Sequence, residues 1–311
     1  MQAARIHAYG ASSEIRIEDA PLPILNDDDV LIRVVATSVN PVDWKIRKGY
    51  LKSFIPYDLP LIMGLDVSGI VEKIGPAVTR FWPGDAVYSG PDTRRNGAWA
   101  EYIAVKETEV TAKPKTISHV EAASLPLVSI TAWEALFTTA NLTAGQRVLI
   151  HAGAGGVGSI AVQLAHAKGA HVTATASAGK MALVRSLGAD AVIDYHAQDF
   201  SSVASGMDVV FDTIGGDVQE KSWSVLTCGG MLVSIIAQPS EDRALAESKR
   251  SGYVFIGPNA PILEQLAAMV DAGKVRPLIG AEFGLNDTAK AQDLSETGSA
   301  IGKVVICVGH P

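Results

Sequence analysis

The first 120 residues consist of short apolar runs separated by turn residues, a pattern typical of β-strands. The segment EIRIEDA (14–20) alternates between apolar and polar positions, and VLIRVVATSV (30–39) is rich in β-branched residues. Three further strand patterns are DVSGIVEKIG (66–75), GDAVYS (84–89) and WAEYIAV (99–105). Because no helical periodicity interrupts them, this part of the chain predicts a compact, barrel-like all-β unit.

After Pro126 the pattern changes to strands that alternate with helices. SITAWEALFTTA predicts a helix and RVLIHAG an apolar strand, and from Val157 apolar residues recur at helical spacing until Gly169 stops the helix. The later strand patterns are HVTATAS (171–177), AVIDY (191–195), DVVFDTIGG (208–216) and GMLVSIIA (230–237). Strands separated by helices predict right-handed crossovers and a doubly wound parallel sheet. The closing strand KVVICV follows a late helix, so the tail is expected to return to the first domain.

The length of 311 residues exceeds that of a usual single core, so two domains are expected. The net charge of −7 is spread over a composition that is 48% hydrophobic, and no basic tract predicts a nucleic-acid surface. The amino terminus has no apolar signal core, and the least polar stretch is broken by glycines and polar residues, so no membrane span is expected. Two cysteines, Cys228 and Cys307, are expected to be buried free thiols in a reducing cytoplasm.

A glycine pattern follows the apolar strand RVLIHAG and begins the next helix, where Gly153, Gly155 and Gly158 form G-x-G-x-x-G. At such a place the free backbone N–H groups and the helix dipole favour a pyrophosphate, and the glycines let it approach closely. The alternative is a tight strand-to-helix turn that binds no ligand. The predicted cofactor-binding residues of this loop are Gly153, Gly155, Gly156, Val157 and Gly158.

The strand after the glycine loop bears on the choice between NADH and NADPH. In NAD-preferring sites an acid about 20 residues after the first glycine accepts hydrogen bonds from the ribose 2′-hydroxyl. Here that window contains the end of HVTATAS, which has no carboxylate. Ser177 offers a hydrogen-bond donor and Lys180 a positive charge, which suits the 2′-phosphate of NADPH. The alternative is an ordinary loop with a solvated Lys180.

Six motifs occur in an order that carries a family resemblance: NPVDWKIRKG (40–49), MGLDVSGIVEKIG (63–75), FWPGDAVY (81–88), GAWAEYIAV (97–105), EAASLPLVSITAWEAL (121–136) and AGAGGVG (152–158). Together they resemble the zinc-free medium-chain dehydrogenase/reductases of the quinone oxidoreductase-like group. NPVDWK and the closing GKVVI are most similar to the enone (alkenal) reductases of that group. The resemblance covers nearly the whole chain.

The resemblance implies an α/β protein of two domains. Residues 1–122, completed by residues 265–311, are expected to form a GroES-like β-barrel catalytic domain. A Rossmann domain with a doubly wound parallel sheet, residues 123–264, is inserted between these two segments. It also implies a homodimer that pairs through the edge strand near YVFIG (253–257), since an apolar edge strand needs a cover.

The resemblance also bears on metal binding. Zinc-containing relatives carry Gly-His-Glu where this chain has Gly64, Leu65 and Asp66, and they carry a cysteine in the region of residues 37–40. Leucine cannot bind zinc, and no cysteine precedes Cys228. We therefore expect no catalytic metal.

Further site residues follow from the resemblance. Tyr195 matches the tyrosine that flanks the 2′-phosphate in quinone oxidoreductases, and Lys180 matches the phosphate-binding lysine. Thr131 lies in the segment that faces the nicotinamide end of the cofactor. Asp212, at the end of the strand pattern DVVFD, is expected either to approach a ribose or to cap the Gly-Gly turn that follows it.

Hydride transfer without a metal needs a hydrogen-bond donor for the carbonyl oxygen, where negative charge develops. One such donor is worth a factor of about 10² to 10³ in rate. Lys45 is the predicted donor, because NPVDWK aligns it with a position that is tyrosine in several quinone oxidoreductases; the alternative is a surface lysine. Asn40 is expected to line the nicotinamide pocket or to serve as a turn residue before Pro41.

The predicted function is NADPH-dependent reduction of a small-molecule quinone or a conjugated enone or enal, with no nucleic-acid or membrane partner. One alternative is an enoyl-thioester reductase of the same superfamily, which needs a basic groove for a carrier's phosphate. The basic residues available for it are Lys45, Arg47, Lys48 and Lys52. A second alternative is an NADPH-binding redox sensor with little turnover, because its cofactor loop would look the same.

Overall fold

The computed structural model describes residues 1–310, which divide into two compact units. The first unit comprises Met1–Leu127, Gly257–Gly273 and the chain from Pro277 onward; the second comprises Val128–Ile256 and Lys274–Arg276. The domain boundaries given above, residues 1–122 with 265–311 and residues 123–264, remain a prediction.

The strands are β1 (Gln2–Ile6), β2 (Ile15–Asp19), β3 (Asp29–Val39), β4 (Leu61–Ile62), β5 (Val67–Ile74), β6 (Ala86–Ser89), β7 (Tyr102–Lys106), β8 (Val110–Ala112), β9 (Arg147–Ile150), β10 (His171–Ala176), β11 (Ala191–Asp194), β12 (Met207–Asp212), β13 (Leu226–Ser234), β14 (Arg250–Tyr253), β15 (Ile279–Gly284) and β16 (Lys303–Cys307). They cover every strand pattern named above.

The helices are α1 (Pro41–Arg47), α2 (His119–Ala123), α3 (Pro126–Trp133), α4 (Gly156–Ala167), α5 (Met181–Ser186), α6 (Phe200–Val203), α7 (Gly216–Ser222), α8 (Glu241–Ala246), α9 (Ala260–Asp271) and α10 (Thr288–Glu296). A π-helical segment, Glu134–Thr139, continues α3. Over the described residues, no helix combines the length and the apolar character that crossing a bilayer requires.

Two sheets form the first unit, a small one in the order β2-β1-β4 and a large one in the order β15-β16-β3-β5-β6-β8. The long strand β3 pairs antiparallel with β5, β7 and β16, so it lies at the centre of the large sheet. Nearly all of its side chains are buried, so its apolar residues do not alternate regularly with polar ones. Through β16 the end of the chain returns to β3.

The prediction of an all-β first domain was wrong at α1. This helix begins after Asn40, has Pro41 in its first turn, and has Asp43 at its third position. The Asp43 carboxylate accepts a hydrogen bond from the backbone N–H of Asn40 (2.6 Å), as in a capping box. An Asn-Pro start followed by an acid is a helix signal in the sequence, but seven residues are too few to show a helical period.

The second unit is a six-stranded parallel sheet in the order β11-β10-β9-β12-β13-β14. The chain runs from β9 outward to β10 and β11, then returns to the other side of β9 and continues through β12 to β14. The strand order therefore reverses between β9 and β12, which is the place where doubly wound sheets bind ligands at the carboxyl ends of their strands. The predicted doubly wound parallel sheet is confirmed.

Candidate active site

The glycine loop lies at the carboxyl end of β9, at this reversal of strand order. β9 ends at Ile150, and α4 begins at Gly156 with Gly155 as its N-cap. Gly155 has no side chain that could bond to the first N–H groups of α4, so these groups and the positive end of the helix dipole are available to an anion. All five predicted loop residues lie on this one turn: Gly153, Gly155, Gly156, Val157 and Gly158.

The three motif glycines have different physical roles. A Cβ on Gly158 would overlap the carbonyl oxygen of Ala152, and one on Gly153 would lie 2.9 Å from the Cβ of Ala174. These two glycines therefore let the loop pack closely against α4 and β10. A Cβ on Gly155 would meet only the Ala152 oxygen, at 3.3 Å, so its other sides are open. The loop thus fits the pyrophosphate of a dinucleotide.

The ends of β10 and β11 present the residues predicted for the 2′-phosphate. Ala176 and Asp194 are partners in the parallel register, and the N–H of Tyr195 donates to the carbonyl of Ala176 at 3.3 Å. Ser177 and Tyr195 therefore follow neighbouring strand ends, and the Tyr195 side chain is 53% exposed. Lys180 ends the short 3-10 turn that begins after Ser177. The structure thus keeps Ser177, Lys180 and Tyr195 in one region, and β10 ends without a carboxylate.

Asp212 caps a turn. Its buried carboxylate accepts hydrogen bonds from the N–H groups of Ile214 (2.9 Å) and Gly215 (2.8 Å), from Gln219 Nε2 (3.0 Å) and from the Ser234 hydroxyl (2.7 Å). Of the two roles that the sequence left open, the structure supports the cap, because both carboxylate oxygens are satisfied within the second unit. We therefore leave Asp212 out of the cofactor site.

The residues predicted to be catalytic are Lys45 and Asn40 in the first unit and Thr131 in the second. Thr131 is a buried residue of α3. Lys45 is a half-buried residue of α1, with its Nζ 5.6 Å from the centre of the Trp44 ring. Among residues 1–310, no carboxylate lies within ion-pair distance of this Nζ. The neighbouring cations differ, because Arg47 (2.9 Å) and Lys48 both pair with Glu296.

Asn40 lies in a buried polar cluster that sequence reasoning missed. Lys303 Nζ donates to the Val39 carbonyl (2.9 Å), to Asn40 Oδ1 and to Asp66 Oδ2 (3.3 Å). The Asn40 amide donates in turn to Asp66 Oδ2 (2.7 Å). The Asn40 side chain is fully buried in this cluster and begins α1, so the structure supports the turn role rather than a pocket-lining role. The signal in the sequence was Lys303 itself, because a lysine in the apolar strand GKVVI requires a buried partner.

The comparisons with known proteins confirm the predicted fold, which combines a GroES-like domain with a Rossmann-like parallel sheet. Residues 26–115 match the family of alcohol dehydrogenase GroES-like domains, and residues 187–306 match a family described as zinc-binding dehydrogenase. The chain is 39% identical to the NADPH-dependent alkenal/one oxidoreductase of Arabidopsis thaliana, over 96% of this chain and 77% of that protein. The chain belongs to the quinone oxidoreductase-like medium-chain dehydrogenase/reductases.

Solved structures of this family extend the likeness to the whole fold. The quinone oxidoreductase of Coxiella burnetii superimposes with a TM-score of 0.92 at 34% identity, over 99% of both chains. A mycobacterial protein solved in complex with NADPH superimposes with a TM-score of 0.89 at 28% identity, again over 99% of both chains. As a member of this family, the protein is an oxidoreductase.

The residues at the zinc position of metal-containing dehydrogenase/reductases do not fit a zinc ion in this chain. Leu65 packs into the apolar core of the first unit. The Asp66 carboxylate accepts hydrogen bonds from Ser38 (2.5 Å), Asn40, Lys303 and the N–H of Leu127 (2.7 Å). The cation beside Asp66 is thus an ammonium group. Across residues 1–310, no three His, Cys, Asp or Glu side chains group as a metal site.

Asp43 carries a second buried charge next to this cluster. One of its oxygens accepts the Asn40 N–H, and the other, Oδ1, has no hydrogen-bond partner. Burial raises the pKa of Asp43 to about 7, although the bond from Asn40 and the charge of Lys303 oppose this effect. Asp43 therefore changes its charge near neutral pH, in the helix that carries Lys45.

We expect Asp43→Asn to become more stable relative to the wild type as the pH rises from 4 to 7. The folded carboxyl keeps its proton up to a pKa of about 7, whereas the unfolded one loses it near 3.8, so in this window the folded state binds more protons and wild-type stability falls with rising pH. Asparagine keeps an acceptor for the Asn40 N–H and has no proton to lose.

Urea unfolding at about pH 5 and pH 8 measures this difference. Asp58→Asn, which changes an exposed carboxylate, should show no such change with pH. An equal difference in unfolding free energy between Asp43→Asn and the wild type at both pH values would contradict the assignment.

Proposed function

We propose that this protein is an NADPH-dependent reductase that delivers hydride to a quinone or an α,β-unsaturated carbonyl compound without a zinc ion. The observation that carries the proposal is a glycine loop at the reversal of strand order, where the first N–H groups of α4 are available to an anion. The following strand, β10, ends in Thr175 and Ala176 with no acid. The relatives support it, because they include an alkenal/one oxidoreductase that depends on NADPH and a quinone oxidoreductase.

The cofactor's pyrophosphate is assigned to the N–H groups of Gly156, Val157 and Gly158 at the start of α4. Its 2′-phosphate is assigned to the region of Ser177, Lys180 and Tyr195, where a hydroxyl and a cation favour a dianion. NADPH, when bound, supplies hydride from nicotinamide C4. Thr131 is assigned to the nicotinamide end on the strength of the family resemblance.

Lys45 is assigned as the donor to the substrate's carbonyl oxygen. Unlike Arg47 and Lys48, which pair with Glu296, Lys45 has no carboxylate within ion-pair distance among residues 1–310. An ammonium donor stabilises the negative charge that develops on that oxygen as hydride reaches the carbon. Asn40, as the N-cap of α1, acts on this step through the placement of the helix that carries Lys45.

The enoyl-thioester alternative has less support, because Arg47 and Lys48 form ion pairs with Glu296. Their charges are therefore already neutralised and do not line an open groove for an anion. A redox sensor remains the outcome expected if NADPH binds but no acceptor is reduced. We propose a cytoplasmic location, because Cys228 and Cys307 are both free thiols, as a reducing compartment favours. The expectation that both thiols are buried was wrong, since Cys228 is exposed.

The cofactor assignment predicts faster oxidation of NADPH than of NADH with 1,4-benzoquinone, 9,10-phenanthrenequinone or an alkyl vinyl ketone as acceptor. Ser177→Asp should lower kcat/KM for NADPH by about tenfold or more, because the new carboxylate repels the 2′-phosphate, and should spare NADH. Ser224→Asp adds the same charge at another exposed position of the second unit and should change neither value. A wild type that prefers NADH would overturn the assignment.

The catalytic assignment predicts that Lys45→Met lowers kcat by a factor of about 10² to 10³, with little change in the KM for NADPH. The methionine keeps the apolar stem of the side chain and removes the ammonium donor. Lys52→Met, at an exposed lysine of the following loop, is the matched control and should keep the wild-type kcat. Equal rates for both variants would show that Lys45 is a surface lysine.

We further propose a homodimer that pairs at the edge strand β14. This strand ends the six-stranded sheet, and within residues 1–310 no strand covers its outer side. Tyr253, the last residue of β14, is 40% exposed and Phe255 is 67% exposed, so apolar side chains lie at the end of an unpaired edge. Sedimentation should give a dimer at micromolar concentration, weakened by Phe255→Lys but not by Leu245→Lys, which is 79% exposed in the same unit. A monomeric wild type would refute the proposal.

A further inference from the structure

His151 is a buried polar side chain at the carboxyl end of β9, and it bonds to the segments on both sides of that strand. Its Nδ1 lies 3.3 Å from the hydroxyl of Thr175 on β10, and its Nε2 lies 3.0 Å from the hydroxyl of Ser222 on α7, which follows β12. The ring also packs edge-on against Phe200, with centroids 4.6 Å apart. His151 therefore connects the two sides of the sheet where its strand order reverses.

The surrounding hydrogen bonds fix which ring nitrogen carries the proton. The Ser222 hydroxyl donates to the carbonyl of Val218 at 2.7 Å, so its oxygen is left to accept from His151, and Nε2 must carry hydrogen. Nδ1 is then the acceptor and receives the Thr175 hydroxyl. Burial lowers the pKa of His151 to about 4, so the ring is neutral at physiological pH.

Thr175 connects His151 to the glycine loop through hydrogen bonds. Its hydroxyl oxygen accepts the N–H of Ala152 (3.1 Å), and its carbonyl accepts the N–H of Gly153 (2.9 Å). Ala152 has a φ of +51°, a left-handed conformation that residues other than glycine adopt only when their surroundings hold them there. The Ala152 carbonyl then accepts the N–H of Gly155 (2.9 Å), the N-cap of α4.

We propose that Thr175 and His151 are positioning residues for cofactor binding. The Thr175 hydroxyl holds the Ala152 peptide in its left-handed turn, and neutral His151 directs that hydroxyl, so that the N–H groups at the start of α4 face the pyrophosphate. This inference rests on the proposed function. It adds two residues that do not touch the cofactor to the residues that would hold it.

The first test separates the hydroxyl from the shape of the side chain. Thr175→Val keeps the shape and loses the hydroxyl, whereas Thr175→Ser keeps the hydroxyl. Thr173→Val is the matched control, because Thr173 is the threonine two positions earlier on the same strand and contributes no side-chain bond to the loop. The Kd for NADPH is read from the fluorescence of the bound nicotinamide, and kcat and KM are measured with an enone acceptor.

We expect Thr175→Val to raise the Kd and KM for NADPH about tenfold, the effect of one lost hydrogen bond, with kcat nearly unchanged. Thr175→Ser and Thr173→Val should stay within about twofold of the wild type, since each keeps the bond to Ala152. Equal Kd values for Thr175→Val and Thr175→Ser would overturn the inference. So would a tenfold loss in Thr173→Val, which would assign the effect to general packing of β10.

The second test addresses His151. Long-range ¹H–¹⁵N spectra of protein with labelled histidine, assigned by the signal missing from His151→Phe, should show a neutral ring protonated at Nε2 at pH 7. His151→Asn keeps an acceptor for the Thr175 hydroxyl and should retain more affinity for NADPH than His151→Phe. A ring protonated at Nδ1, or equal affinities for the two variants, would exclude the role of His151.

These measurements also distinguish the inference from the function on which it rests. If the wild type prefers NADH, the proposed cofactor choice fails, and the same variants are then measured with NADH, whose pyrophosphate would use the same loop. If the wild type binds neither nucleotide, both the function and the inference are overturned. If the wild type binds NADPH and Thr175→Val binds it equally well, only the inference fails.

Discussion

No Cβ fits between residue 158 and the carbonyl oxygen of Ala152, so only glycine lets the first turn of α4 pack this closely against the loop. Since α4 starts directly behind the loop, its first N–H groups lie at the carboxyl end of β9 and have no partner in the helix. A positive electrostatic region therefore results from backbone geometry alone, without an arginine or a lysine in the loop. The preference for NADPH or NADH therefore depends on the residues at the neighbouring strand ends, Ser177 and Tyr195.

The two units handle buried polar groups in a similar way. In the second unit, Asp212 has four hydrogen-bond donors around it and holds a turn beside the glycine loop. In the first unit, Asp66 has Lys303 and three further donors around it. Each carboxylate has lost its water, so each depends on fixed donors for its charge. Removal of one of these donors would leave part of a buried carboxylate without a partner.

Much of the fold was predictable because its signals are local. The alternation of β2, the apolar run of β9 and the position of the glycine loop before α4 can all be read from neighbouring residues. The role of Asp212 was left between two choices, because its donors come from α7 and β13 as well as from the next turn. The hydrogen bond between Asn40 and Lys303 could not be predicted for the same reason, since 263 positions separate the two residues in the sequence. The helix α1 was missed because it is too short to show a period.

The pairing of β16 with β3 also sets an order of events during synthesis. A ribosome releases the strands of the second unit, up to β14, before it has made β16. Until Lys303 emerges, the carboxylate of Asp66 lacks its cation and must keep its water, so the centre of the first unit cannot close. The second unit therefore has all its strands first and can fold as a nascent chain, whereas the large sheet of the first unit is incomplete until β16 has been made.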